Sequence, residues 1–172
     1  MNINDMTIFN PLTDKPNDLP NHKGLYIITA NNISCLPDIL KEAEYKFYEE
    51  RPIIYVGMSN RGFRARDYKN HFKGTARNST LRKSLGVFML LNKEYEVNNP
   101  LKYKFKSDDE RSLTMWMMEN LWLHYLICEN PEEIEKQLIN ELSPPLNLKD
   151  NHNEINKEIR RQLKAMRNNK KN

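Results

Sequence analysis

The chain has 172 residues, of which 38% are apolar and 29% charged. That is enough apolar material for one domain-sized core and more than a disordered chain carries. A net charge of +4 suits a polyanionic partner, and the lack of any run of eighteen apolar residues excludes a membrane-spanning helix.

The stretch 1–22 is polar, holds Pro11, Pro16 and Pro20, and has no apolar segment of the signal-peptide kind. It reads as an irregular lead-in with a short strand near Met6–Phe9. Gly24–Ala30 (GLYIITA) is β-branched and aromatic and predicts a buried strand. Apolar residues at Leu36, Ile39, Leu40, Ala43 and Phe47 predict a helix over Leu36–Glu49, inserted before a second strand at Pro52–Gly57.

Gly62–Phe72 predicts a helix dense in cations. Asn78–Asn92 predicts another, capped by Ser79 or Thr80. Leu101–Lys106 alternates and predicts a strand, Asp108–Asn120 a helix with acids in its first turn, and Leu121–Cys128 a further strand. Asn130-Pro131 opens a helix that stops before Pro144-Pro145, with Glu133 at capping-box spacing. Asn153–Met166 carries an amphipathic stripe of Ile155, Ile159, Leu163 and Met166, followed by a basic end. The organisation expected is a lead-in at 1–22, a domain at 23–150 and a basic helix and tail at 151–172. Cys35 and Cys128 lie in no metal-ligand spacing and read as reduced thiols of a cytoplasmic protein.

Positive charge is concentrated at Arg61, Arg64, Arg66, Lys69, Lys73, Arg77, Arg82 and Lys83, against the single acid Asp67. These cations are candidates for contact with a phosphate backbone, and Arg160, Arg161, Lys164 and Arg167 of the tail could extend the footprint. Glu135 shares a helical face with Leu138, Ile139 and Leu142, so its carboxylate sits at or beside an apolar stripe and wants a partner.

Gly24-Leu25-Tyr26 on the first strand, Tyr55-Val56-Gly57 on the second, and a late helical Glu135 followed by IEKQLINELSPPLN with Asn147 occur in a fixed order. Taken singly, each tyrosine is an ordinary strand residue and Glu135 an ordinary helix residue. In that order the set resembles the GIY-YIG nuclease family over roughly Lys23–Asn147. The resemblance implies an α/β (α+β) fold with a small three-stranded antiparallel sheet flanked by helices. Here it would carry an inserted helix between the first two strands and a C-terminal helical extension.

The resemblance also implies a metal-dependent endonuclease that hydrolyses phosphodiester bonds in nucleic acid, DNA before RNA. Tyr55 would be the water-activating base, with Tyr26 orienting water or phosphate. Arg66 would contact the scissile phosphate, with Arg64 as the alternative, and His71 would accompany it. Glu135 would hold Mg²⁺ (or Mn²⁺), and Asn147 would be the structural asparagine. Three departures stand out. His71 follows Arg66 by five positions where the family has four. Met58 stands where many members have a lysine. The gap between the tyrosines is long. A binding module without turnover and a sequence-specific restriction-type enzyme are the alternatives.

Overall fold

The computed structural model describes residues 5–169, with the backbone alone described at 65–67, 100 and 101. The elements run β1 (Thr7–Phe9), β2 (Gly24–Ala30), α1 (Asp38–Lys41), β3 (Phe47–Tyr48), β4 (Arg51–Ser59) and a π-wound helix (Arg64–Phe72). They continue with α2 (Thr80–Phe88), β5 (Lys93–Glu96), β6 (Asn99–Phe105), α3 (Ser107–Asn120), β7 (Leu121–Ile127), α4 (Pro131–Leu142) and α5 (Lys157–Asn168). No helix among the described residues is long and apolar enough to cross a membrane.

The main sheet has the order β1-β7-β2-β4-β3, and its pairs are antiparallel. The expected mixed architecture and antiparallel sheet are present, but the sheet has five strands, not three, and β5 and β6 form a separate two-stranded ribbon. The extra strands are the short edges β1 and β3. β1 falls on the short strand expected near Met6–Phe9, whereas β3 is too short to carry a period of its own and is defined by its partner.

The helix expected over Leu36–Glu49 is also corrected. Only Asp38–Lys41 is α-helical, and the chain then turns back as β3 against the start of β4. Glu49 and Glu50 both take left-handed φ values (46° and 63°), as the two central residues of a tight hairpin with primed geometry require. Asn-Gly is the usual signal for that turn; a Glu-Glu pair carries none.

Strand β2 is central and buried along its whole length. Tyr26, Ile28 and Ala30 enter the larger core with Phe63, Phe72, Leu81, Leu85, Met117 and Leu163. Leu25 and Ile27 face the other way and join Ile53, Val56, Leu138, Ile139 and Leu142. Helices on both faces explain why its sequence is a continuous apolar run rather than an alternation. Leu163 of α5 is wholly buried in the larger core, so the C-terminal helix packs with the sheet domain.

Candidate active site

The site begins with a defect in β4. Across the β2–β4 pair, Ile28 opposes Tyr55 and Thr29 opposes Ile53, which leaves Ile54 as an extra residue. The bulge breaks the two-residue period: Ile54 and Tyr55 both meet the larger core, whereas Ile53 and Val56 belong to the other. Tyr55 opposes Ile28, two positions from the Tyr26–Gly57 pair, and so lies on the face of Tyr26 by regular alternation, while the bulge turns Ile54 to that face as well. A bulge beside a functional site commonly re-aims a side chain in this way.

Tyr26 pairs across the sheet with Gly57. A Cβ on Gly57 would lie 2.3 Å from Cζ of Tyr26 and 2.4 Å from its phenol oxygen, so the glycine makes room for the ring. Gly24 is equally constrained, since a Cβ there would lie 2.1 Å from the carbonyl oxygen of Leu126 and 2.6 Å from the Phe63 ring. The two glycines of the motif thus follow from close packing.

The rings of Tyr26, Tyr55 and His71 form a triangle with centroid separations of 6.2, 5.7 and 6.1 Å. The phenol oxygen of Tyr26 lies 2.7 Å from Nε2 of His71, whose Nδ1 lies 2.7 Å from Oγ of Ser79. Ser79 also caps α2 by accepting the backbone N–H of Arg82 at 3.1 Å. The phenol of Tyr55 bonds Oγ1 of Thr80 at 3.0 Å. Both tyrosines are therefore tied to the start of α2. Sequence reading recognised Ser79 and Thr80 as candidate caps but not as part of the site, because a capping serine carries no mark of a second partner.

Asn147 is buried, and its amide pairs with one backbone residue. Oδ1 accepts the N–H of Val56 at 2.9 Å and Nδ2 donates to the Val56 carbonyl at 2.8 Å. The backbone N–H of Leu146 donates to the Ile54 carbonyl at 3.2 Å. The segment after α4 thus satisfies the free edge of β4 as a further strand would.

Tyr26, Tyr55, Thr80, Glu135 and Asn147 line one cleft of about 410 Å³, whose wall also includes Lys149, Asp150 and Arg167. Glu135 is half-buried on α4, and the apolar neighbours expected on its face, Leu138, Ile139 and Leu142, are buried beneath the sheet. Met58 lines the same cleft, and Lys149 and Arg167 bring positive charge where Met58 brings none.

The cationic segment divides. The side chain of Arg66 lies outside the described residues. Its backbone lies in the π-wound helix, where hydrogen bonding runs from residue i to i+5. Position 66 is therefore one such turn before His71, and the extra residue that separates them is absorbed by the winding. Arg64 donates instead to the carbonyls of Pro16 (3.1 Å), Asn17 (2.7 Å) and Leu19 (3.3 Å) and pins the lead-in to the helix. Arg82, read from sequence as a phosphate contact, is fully buried and donates from both Nε and Nη2 to Oε2 of Glu110. The helical face that looked cationic is turned into the core at that position, so Arg82 cannot reach a ligand. Arg77 pairs with Glu96 at 2.6 Å, and Lys83 is partly buried 5.5 Å above the Tyr103 ring. Arg61, Lys69 and Lys73 are exposed.

No group of three or more His, Cys, Asp or Glu residues able to hold a metal is found among the described residues. The carboxylates that line the cleft are those of Glu135 and Asp150. Hard oxygen donors in such small number fit an ion such as Mg²⁺, which keeps several waters and takes one or two carboxylates.

An antiparallel sheet flanked by helices, with two phenols and a carboxylate bordering one cleft and an imidazole bonded to one of the phenols, makes this a small mixed α/β protein. The family described as the GIY-YIG catalytic domain matches residues 24–169, and the chain belongs to it. Its members are nucleases, which act on nucleic acid and generally use a divalent metal ion. Neither the curated proteins nor the solved structures include a match to this chain.

Proposed function

We propose that the protein is a metal-dependent endonuclease that hydrolyses phosphodiester bonds, with DNA as its substrate. The observation that carries this reading is the shared cleft: Tyr26, Tyr55, Glu135 and Asn147, far apart in sequence, border one cavity beside two cations.

Hydrolysis needs an activated water and neutralisation of the charge that builds on the phosphate oxygens. Of the two phenols, Tyr26 is the better base, because its oxygen is the one joined to an imidazole. With Nδ1–H of His71 donated to Ser79, Nε2 accepts the phenol proton, and the phenolate draws a proton from the attacking water. Tyr55, held by Thr80, positions that water or the phosphate. This exchanges the roles given to the two tyrosines from sequence. Arg66 is the proposed fork for the non-bridging oxygens, with Lys149 and Arg167 adding charge at the rim. Glu135, with Asp150 nearby, would hold the divalent ion, which when bound polarises the phosphate and stabilises the leaving oxygen. Asn147 touches no reacting atom and fixes the strand that presents Tyr55 and Gly57.

The test is nicking of a supercoiled plasmid with Mg²⁺. Glu135→Ala is expected to abolish metal-dependent nicking and Tyr26→Phe to slow it by about 10²-fold or more. Equal nicking by wild type and Glu135→Ala overturns the reading. Discrete fragments from a defined DNA would show sequence specificity; random nicks would show none.

A further inference from the structure

We infer that the phosphodiester backbone of the substrate leaves the cleft along a basic groove between α5 and residues 148–154. The inference rests on the reading of the cleft as a nucleic-acid site and extends it to a surface outside the motif residues. The groove has a volume of about 660 Å³ and shares Leu148, Lys149 and Arg167 with the wall of the cleft, so one runs into the other.

Its lining is strongly one-signed. Lys149, Lys157, Arg161, Lys164 and Arg167 stand against the single carboxylate of Glu154. Positions 157, 161 and 164 recur at helical spacing and put their cations on one exposed face of α5. Lys157 is paired with Glu154 at 2.9 Å and Arg161 with Glu158 at 2.7 Å, but these exposed pairs are weak and readily exchanged for phosphate. Lys164 has no ion pair among the described residues.

The walls are preformed. Arg160 is buried and donates to the carbonyls of Asn153 and Ile155, which locks the loop to the helix. Asn151 donates to the Pro144 carbonyl at 3.1 Å, and Asn153 donates to that of Asn140 at 3.2 Å. A rigid channel of positive charge that opens directly from a phosphodiester-cleaving cleft fits a polyanionic strand. It recognises the backbone, which DNA and RNA share, and carries no device for reading bases.

The test is binding of a fluorescent 20-base-pair duplex, once as DNA and once as RNA, by the full chain in EDTA over a range of KCl concentrations. Each phosphate contact removed lowers the slope of log K against log[salt] by about 0.9 on duplex DNA. The double variant Lys157→Gln/Lys164→Gln is expected to lose close to two units of slope and to bind about tenfold or more weakly at low salt. A matched double variant on another part of the surface, Lys41→Gln/Lys46→Gln, is expected to keep the wild-type slope. Loss on both duplexes assigns the groove to the shared backbone, and loss on one alone identifies that nucleic acid as its occupant. A wild-type slope in the groove variant, with nicking still dependent on Glu135, overturns the inference and leaves the nuclease reading standing. A wild-type chain that binds neither duplex overturns both.

Discussion

The phenol oxygen of Tyr26 and Nε2 of His71 lie 2.7 Å apart, although 45 positions separate the two residues in the chain. The imidazole is also held from its far side by Ser79, so its ring plane is set before any ligand arrives. If Tyr26 is the base proposed above, the acceptor for its proton is already in place.

The first prediction follows from that contact. His71→Ala is expected to reduce the single-turnover cleavage rate by about 10²- to 10⁴-fold. Ser79→Ala is expected to cost less, and more in rate than in substrate binding, because it frees the ring without removing it. Quench-flow on a labelled duplex separates the two. Unchanged chemistry in His71→Ala would remove the imidazole from proton transfer.

Asn147 is expected to matter for stability. Asn147→Ala leaves both polar backbone groups of Val56 unpaired beside the core, where each such group costs about 1–3 kcal/mol. Urea unfolding should show a loss of about 2–4 kcal/mol with an unchanged slope in denaturant. A variant of wild-type stability would show that the edge of β4 has another partner.

The buried pair of Arg82 and Glu110 offers a third test. Glu110 also accepts the backbone N–H groups of Ala76 (2.8 Å) and Phe105 (3.0 Å), and Arg82 donates to the His71 carbonyl at 3.0 Å. Glu110→Gln keeps the shape but strands a buried guanidinium, at a cost of about 3–5 kcal/mol. Chemical denaturation measures it, and a loss below about 1 kcal/mol would contradict the burial of the pair.

His124 makes stability depend on pH. Its ring is buried beside Tyr48, and Nε2 lies 2.9 Å from Oγ1 of Thr29. Burial, with a smaller contribution from Arg51, draws its pKa from 6.5 down to about 4. Between those values the unfolded chain binds a proton that the folded chain refuses, so stability falls as the pH drops from about 6.5 to 4. The full loss from this residue is about 3 kcal/mol. The readout is the urea midpoint at pH 7 and pH 4.5. His124→Gln, which cannot ionise, should flatten much of the difference between them, and an unaltered profile would assign the acid sensitivity elsewhere.

Long elements were legible in the sequence. Gly24–Ala30 is a strand over the expected residues, and α4 begins at Pro131 as its proline requires, although Asn130 makes no side-chain capping bond. Of the short ones, β1 lies where a strand near Met6–Phe9 was expected, but β3 and β5 were not expected. β3 and its hairpin were hidden under a helical spacing of apolar residues, because Leu40 and Tyr48 are buried by different neighbours and not by one helix face. β5 was missed because its residues, Lys-Glu-Tyr-Glu, are half-exposed in a two-stranded ribbon and show little apolar alternation. Arg82 was misread because a charge within a cationic run looks solvated until its partner, 28 positions later, is known.

The sequence by itself determined the order of the chemistry-bearing residues, the central strand, and the family that this order marks, since each of these is written locally in residue type and spacing. Tertiary structure decided which side of the sheet each group faces. The pairing register of β2 with β4 puts Tyr55 on the face of Tyr26, the capping residue of α2 holds His71, and the loop after α4 carries Asn147 to the edge of β4. Those outcomes depend on register and on contacts between segments tens of residues apart, and pairing energies of that kind leave no pattern in any single stretch of the chain.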